Sequence, residues 1–451
     1  MTADVEVAES HDEQPETDAT ADAEGSAATP EYTSLIGSLE ELMETQRTVL
    51  RLLDFIVARA EELDDVRTRV LQRVRTEYPD IEEDIVTTFL NGMDTVLSEV
   101  REIEESEDRE AAEDKVAESI KAVITRLPEG YQPIPFVFAL SRAQVQEPSA
   151  NVLLESLLVS LVGNFEMQIA MAARTLLNMF PGGLESSERV FTWKEVAQHE
   201  SLDAFREVVF DRAIDDLMRE SASGWFKWFE TKHKVKIPAI ASDLQFREVL
   251  QRRHVIVHNG SNVSRLYLEN LPDLDPRPEL GTHLGVDEDY LRRAADALLV
   301  AGVSLLANIG RKVLKTDQKG FQDYVCNIPY RMLQDGRYGA AHALTCEFEG
   351  AWFDAQYSQL TTQVNQWLAL KRLGRFEECR EEVVAWDTTV LGPEFRLARL
   401  ALLDDLEAGH AIVKQIRGTS SLSLAFWFAW PLLAELREYE RSLEVPPGNG
   451  K

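Results

Sequence analysis

Two histidines and an arginine near the end of one predicted helix are the residues best suited to chemistry. Residues 242–259 form that helix, and they include Arg253, His254 and His258. Histidine changes charge near neutral pH and can donate or accept a proton. A guanidinium group binds phosphate oxygens through paired N–H groups. Because His254 and His258 are four residues apart, they share one face of the helix. The pattern indicates proton-transfer groups beside an anion-binding group.

Arg253 occupies an unusual position on this helix. At 100° per residue it falls in the middle of an apolar stripe, where burial is costly unless the charge is paired or lines a cleft. It either faces a ligand or pairs with an acid such as Glu166 in a structural ion pair. His258 also has two interpretations. It is either a catalytic group or a structural histidine that bonds a carbonyl at the helix end before Asn259-Gly260. The stripe consists of Phe246, Val249, Leu250, Ile256 and Val257.

The surrounding segment is basic, although the chain carries a formal net charge of −31. Residues 225–265 hold eight Lys and Arg against three Asp and Glu, a local net charge of about +5. Phosphate binding needs such a local excess of positive charge. Aromatic residues beside it either stack on bases or belong to the core; they are Trp225, Trp228 and Phe229. The predicted RNA-binding residues are Lys227, Lys232, Lys234, Lys236, Arg247, Arg252 and Arg265.

The run Arg253-His254-Val-Ile-Val-His258-Asn259-Gly260 resembles the Arg–polar–x3–His signature of HEPN domains, in the form of the RiboL-PSP-HEPN-like members. The resemblance extends over residues 150–315 and includes the helix that carries Phe165-Glu166. It implies a metal-independent endoribonuclease in which the RNA 2′-hydroxyl is the nucleophile. His258 would be the general base or acid and Arg253 the phosphate clamp. His254 would be a second proton carrier, and Asn259 would orient His258.

The resemblance also implies the biological setting. Family members usually build the site across a two-fold homodimer and need no cofactor and no metal. Many are toxins of toxin–antitoxin pairs or effectors of antiviral defence that cut tRNA, mRNA or invading RNA. An alternative is a non-catalytic domain that binds nucleotides or proteins. In that case Arg253 would be buried against an acid within one subunit.

Helices are the elements that must position these residues, since no stretch shows strand-like alternation. The sequence predicts an all-α protein: a helical-bundle, HEPN-like domain flanked by an N-terminal bundle or coiled coil and by C-terminal helical hairpins. Long helices are expected at about 150–180 and 287–315. The predicted segments are a disordered acidic tail at 1–33, a helical region at 34–130, the HEPN-like domain at 149–316 and the hairpins at 320–441.

The C-terminal segment contains two similar turns about 38 residues apart, Gly336-Arg-Tyr338 and Gly374-Arg-Phe376. A weaker third turn lies near 405–408. This period is typical of helical-hairpin repeats and resembles tetratricopeptide-like repeats. Such arrays either bind partners on a concave surface or serve as packing. A protein partner on these hairpins is therefore a second prediction.

Composition limits the remaining classes. The strong net negative charge disfavours binding of nucleic acid or anionic membranes over most of the surface. No uninterrupted apolar run of about 18–20 residues predicts a membrane span, and the acidic N-terminus is unlike a signal or transit peptide. Three widely spaced cysteines predict reduced core thiols and no zinc site. A cytoplasmic protein is expected; the cysteines are Cys326, Cys346 and Cys379.

Overall fold

The structure is a computed structural model that describes residues 29–60, 149–184, 190–350 and 352–444, with isolated positions between 63 and 125. Throughout these ranges the secondary structure is helical, and the prediction of an all-α protein is confirmed. Residues 1–28 of the predicted disordered tail (1–33) and most of the predicted helical region (34–130) beyond residue 60 lie outside the described residues. Residues 30–33, which were assigned to the tail, are helical, so that boundary was wrong.

The first helix, α1 (Pro30–Val57), begins four residues before the predicted start at Ser34. Pro30 favours the first turn, and the Thr29 hydroxyl accepts a hydrogen bond from the Tyr32 amide at 3.4 Å. The buried stripe of α1 packs on two later helices and is part of their core. α1 is therefore integral to the middle of the molecule and is not a separate flanking element.

The middle of the chain forms a layered helical unit around the helix that carries Arg253. α2 runs antiparallel to α1, because Asn164 hydrogen-bonds Thr45 and Thr175 lies beside Ser34. The helices are α2 (Ser149–Met179), α3 (Trp193–Val196), α4 (Leu202–Met218), α5 (Ala222–His233), α6 (Leu244–Asn259), α7 (Arg265–Asn270) and α8 (Glu288–Val313).

The central helix is α8 rather than α2. The sequence predicts that α2 is central because it is apolar nearly all round, but its outer face is exposed at Gly163, Met167 and Met171. Both helices are long and apolar enough to cross a membrane by length and composition. The mean hydropathy of the most apolar 18-residue stretch is 1.4 in α2 and 1.3 in α8. In α8, 89% of this stretch is buried inside the protein, which is typical of a core helix. In α2 the buried share is 39%. Polar residues interrupt both helices, as at Glu155 in α2 and Asp296 in α8, so neither contains the uninterrupted apolar run whose absence the sequence indicates.

The C-terminal segment consists of helix pairs joined by tight turns. Gly336 and Gly374 adopt left-handed backbone conformations (φ 72° and 73°) at equivalent turns, and Asp404 (φ 58°) occupies the third. A short helix and a final helix follow the third pair. The helices are α9 (Gln318–Gln334), α10 (Tyr338–Glu347), α11 (Gln356–Arg372), α12 (Arg380–Ala385), α13 (Pro393–Leu402), α14 (Leu406–Ile416), α15 (Leu424–Ala429) and α16 (Ala434–Glu444).

The helix pairs are joined closely to the middle of the molecule through α8. The Asn308 side chain accepts a hydrogen bond from Trp352 Nε1 at 2.9 Å and donates one to the Lys236 carbonyl at 3.0 Å. The ring of Phe321 packs so closely on Gly310 that a β-carbon there would overlap it. Of the cysteines, Cys326 and Cys379 are buried as predicted. Cys346 is exposed, so its prediction as a core thiol was wrong.

Candidate functional site

Local signals in the sequence set both ends of α6. The Asp243 carboxylate accepts hydrogen bonds from the amides of Gln245 (2.8 Å) and Phe246 (3.2 Å), which caps the first turn. At the other end Gly260 takes the left-handed conformation (φ 55°), where glycine meets no steric penalty. Asn259 is thus the last helical residue, as predicted.

The inward side of α6 carries a buried ionic network centred on Glu248, which is 7% exposed. Its carboxylate accepts hydrogen bonds from Arg252 Nε (2.7 Å), Tyr267 Oη (2.8 Å) and Tyr290 Oη (2.6 Å). The Arg252 guanidinium also donates to the Gly285 carbonyl at 2.6 Å and stacks 3.9 Å from the centre of the Tyr290 ring. Burial and the Glu248 charge both raise the pKa of the Tyr290 hydroxyl, which therefore stays protonated and donates.

Arg252 was predicted to bind RNA, but its guanidinium is engaged inside the fold. The carboxylate and the carbonyl engage Nε and Nη1, and the aromatic ring covers one face, so a phosphate or base would compete with these contacts. Its role in the structure is to tie α6 to the start of α8.

Arg253 projects from another side of α6 and forms an ion pair with Glu166 of α2. The two side chains are 21% and 25% exposed. The contact uses Arg253 Nη2, and a guanidinium offers further donors at Nη1 and Nε. Glu166, which the sequence indicates as a possible structural partner of Arg253, is thus its partner in the structure. The pair lies at the edge of an open cleft and not in the core.

His254 and His258 lie together on the exposed side of α6. Their ring centroids are 4.6 Å apart and the planes are tilted by 50°. Partial burial lowers the pKa of His254 from its ordinary value, and the positive charges of His258 and Arg253 lower it further. Around neutral pH His254 is therefore neutral and can accept a proton.

Asn259 was predicted to orient His258, but its amide serves the turn after the helix. The Asn259 side chain donates to the Asn262 carbonyl, and Asn262 Nδ2 donates to the Gly260 carbonyl at 2.8 Å. Ser261 is tied to Glu155 of α2 at 2.8 Å. These contacts fix the turn after α6. Asn259 therefore holds the end of the helix in place and does not contact the His258 ring through its side-chain amide.

A cleft of about 590 Å³ opens beside Arg253, between α6, α7 and the turn that joins α4 to α5. Arg219, Arg247 and His254 line it together with Arg253, as do Glu166 and Glu220. Trp225 forms part of the floor and is 4% exposed, so its ring belongs mainly to the core. Its indole Nε1 is buried and has no hydrogen-bond partner among the described residues. A ligand with an acceptor atom can satisfy this donor.

The predicted basic residues do not converge on this cleft. Arg247 lines it and donates to the Asn270 carbonyl at 2.7 Å. Lys236, by contrast, lines a different cavity together with Asp243 and Gln245 at the start of α6, and its carbonyl accepts a hydrogen bond from Asn308 of α8. The exposed residues away from the cleft lining are Lys227, Lys232, Lys234, Lys236 and Arg265.

Sequence reasoning missed several lining residues, among them Arg219, Glu220 and Gln251. Arg219 stands directly after α4 in an acidic stretch, and only the turn into α5 brings it beside α6. No group of three or more His, Cys, Asp or Glu in the described part of the chain is arranged to hold a metal ion. Comparison of the chain with protein-family models, curated proteins and solved structures found no match.

Proposed function

We propose that this protein is a metal-independent endoribonuclease that acts as a homodimer. The observation that carries the proposal is the contact between two exposed histidines, His254 and His258, of which His254 lines an open cleft beside Arg253. This arrangement supplies a proton acceptor, a proton donor and a phosphate-binding group within one helical turn and a half.

The chemistry follows from RNA itself. A neutral histidine removes the proton from a 2′-hydroxyl, the oxygen attacks the adjacent phosphorus, and the bond to the 5′-oxygen breaks. The leaving oxygen takes a proton from a second histidine, and the product carries a 2′,3′-cyclic phosphate. The lowered pKa of His254 suits it to the base role beside His258. Arg253 stabilises the negative charge that develops on the phosphate oxygens.

The cleft gives the substrate a place to lie. Its volume is within the range of about 300–1,000 Å³ that is usual for small-ligand pockets, and it accommodates a nucleoside beside the scissile phosphate. Arg247 contacts a neighbouring phosphate, and Trp225 Nε1 donates to an acceptor on the base. The acidic remainder of the surface keeps RNA away from other faces.

A second copy of the chain completes the site. Val257 and Leu266, which are 50% and 49% exposed, flank the histidines and provide an apolar contact surface. A two-fold axis there places one Arg253 and one His258 from each copy around a single phosphate. The wider role would be that of a cytoplasmic toxin or antiviral effector acting on tRNA or mRNA.

The test is cleavage of labelled tRNA and mRNA in EDTA by wild type, Arg253→Ala and His258→Ala. Each substitution should lower the rate at least ~100-fold, because it removes a proton carrier or the phosphate clamp. Products should end in a 2′,3′-cyclic phosphate. His283→Ala is the matched control: this histidine is 45% exposed, lies near the end of α6 and faces Glu155 of α2 at 3.8 Å, away from the His254–His258 pair.

A second candidate function is a non-catalytic module that binds RNA or a nucleotide. The Arg253–Glu166 ion pair within one chain favours it, since a carboxylate already occupies part of the guanidinium. In this case labelled RNA would bind in the cleft and would remain intact at concentrations that yield dimers. Arg253→Ala and Arg247→Ala would then weaken binding, and His258→Ala would leave it unchanged.

A further inference from the structure

A second, chemically different groove lies on the C-terminal helix pairs. The first helices of the three pairs, α9, α11 and α13, line it side by side, and the segment 420–430 closes one end. Its volume is about 510 Å³. Adjacent packed helices lie about 8–10 Å apart, so three of them span roughly 20 Å. That length matches about six residues of extended chain.

A buried amide stands without a partner in this groove. Asn365 of α11 lines the cavity and is 2% exposed, and its Nδ2 has no hydrogen-bond acceptor among the described residues. Removing an amide from water without a new hydrogen bond is costly, and native proteins rarely leave such a group unpaired. A buried, unpartnered donor in a cavity wall points to an acceptor that arrives with a ligand.

The groove also carries one carboxylate on each of its two outer helices, and aromatic rings lie near them. Asp323 of α9 and Glu394 of α13 line it, and Glu394 Oε2 is buried without a partner among the described residues. The rings of Tyr357 and Phe395 meet edge to face, with centroids 5.3 Å apart, next to these carboxylates. Aromatic faces with nearby carboxylates attract a cation and repel phosphate.

We infer that this groove binds an extended peptide segment of a partner protein that carries an arginine or lysine. A main-chain carbonyl of the peptide accepts a hydrogen bond from Asn365 Nδ2. The basic side chain lies along Tyr357 and Phe395 and reaches the carboxylate of Glu394, and Asp323 on α9 adds a second negative charge to the groove. The inference is independent of the proposed ribonuclease, because it uses no residue of α6 or of the cleft beside it.

The experiment presents the full chain with four pools of amide-capped heptapeptides that have randomised flanks and a fixed central residue. The central residue is arginine, lysine, norleucine or glutamate, and retained peptides are quantified by sequencing. Wild type should retain the arginine and lysine pools at least ~10-fold more than the glutamate pool, with the difference shrinking as salt rises. Equal retention of all four pools would overturn the inference.

Two substitutions locate the binding. Asn365→Leu removes the donor at similar volume, and Glu394→Gln removes one carboxylate; each should lower retention of the arginine pool about 10-fold, equivalent to a lost charge-assisted or buried hydrogen bond. Glu407→Gln is the matched control, since Glu407 is exposed and lies outside the groove. Unchanged retention in both groove variants would contradict the inference.

A stability measurement separates ligand binding from a structural role of Asn365. If the amide exists for a ligand, Asn365→Leu should keep or raise the urea concentration at half-unfolding while peptide retention falls, because the substitution removes an unpaired buried polar group. A lowered midpoint together with unchanged peptide retention would assign Asn365 to packing and defeat the inference.

Discussion

Arg252 and Arg253 are neighbours in the chain, but the two sides of α6 use them differently. Arg252 points inward, where a carboxylate, a carbonyl and an aromatic ring surround its guanidinium. Arg253 points to the cleft and has its ion pair with Glu166 at the cleft edge. The fold engages Nε, Nη1 and one face of the inward guanidinium, whereas the outward one forms its ion pair through Nη2 alone among the contacts described. For two adjacent charges of one type, the partners inside the fold decide which side chain stays accessible to a ligand.

Histidines near α6 show the same division. His233 at the end of α5 is 4% exposed, and its ring packs 4.5 Å from that of Trp228. Burial lowers its pKa to about 4, with smaller contributions from Lys312 and Lys232. His254 and His258 are exposed and face one another. A neutral buried histidine contributes packing, while the exposed pair remains available for proton transfer.

The largest expected effect tests the inward ion pair. Glu248→Ala leaves Arg252 and two tyrosine hydroxyls without their common acceptor, and it should lower the free energy of unfolding by about 3–5 kcal/mol. Urea denaturation followed by circular dichroism measures this. A loss below about 1 kcal/mol, the usual value for a surface pair, would remove the distinction between the two sides.

The second effect concerns the buried histidine and pH. The folded-state pKa of His233 is about 4, below the ordinary value of 6.5, so the unfolded chain binds its proton more readily. The resulting stability is present above pH 6.5 and is lost as pH falls towards 4. Between pH 7.5 and 4.5 this contributes a loss of about 2.5 kcal/mol.

Urea denaturation of wild type and His233→Phe at the two pH values isolates that contribution, because the carboxylates titrate equally in both proteins. The variant should lose about 2.5 kcal/mol less than wild type on acidification. Identical pH dependence in the two proteins would show that His233 is solvated in the folded protein. His233 would then not differ from the exposed histidines His254 and His258.

The smallest expected effect is on the outward ion pair. Glu166→Gln should change the free energy of unfolding by less than about 1 kcal/mol, because both partners are partly exposed and Arg253 can be solvated. Freed from the carboxylate, Arg253 should bind short single-stranded RNA more tightly in a filter-binding assay at low salt. Glu207→Gln, which affects the Arg174 pair on the same helix layer, is the control. A large destabilisation would make the two pairs of α6 equivalent.

Local signals made much of the fold predictable. The stop at Asn259-Gly260 and the turns at Gly336 and Gly374 depend on residues next to one another, and each lies where the sequence places it. The apolar pattern of α2 was more ambiguous, because helical periodicity reports how apolar a face is and not which helix covers it. Only the packing of α1 and α8 reveals that one face of α2 is exposed.

The sequence predicts that three residues of the candidate site lie close together, and it does not predict their surroundings. Arg253, His254 and His258 follow from spacing on one helix, and Glu166 was a named candidate partner. The network at Glu248 joins residues 19 and 42 positions further along the chain, so no local pattern signals it. The unpartnered amide of Asn365 is equally invisible in sequence, since only the cavity beside it distinguishes it from any other helical asparagine.

The position of α8 has a consequence for communication within the molecule. One end of this helix is tied to α6 through Tyr290, and the other is tied to the C-terminal pairs through Asn308 and the tight contact of Gly310 with Phe321. α8 therefore connects the region of the cleft beside Arg253 to the helix pairs that carry the groove. If binding at one site shifts α8 and changes the affinity of the other, thermodynamic reciprocity requires that binding at the second site changes the affinity of the first by the same factor.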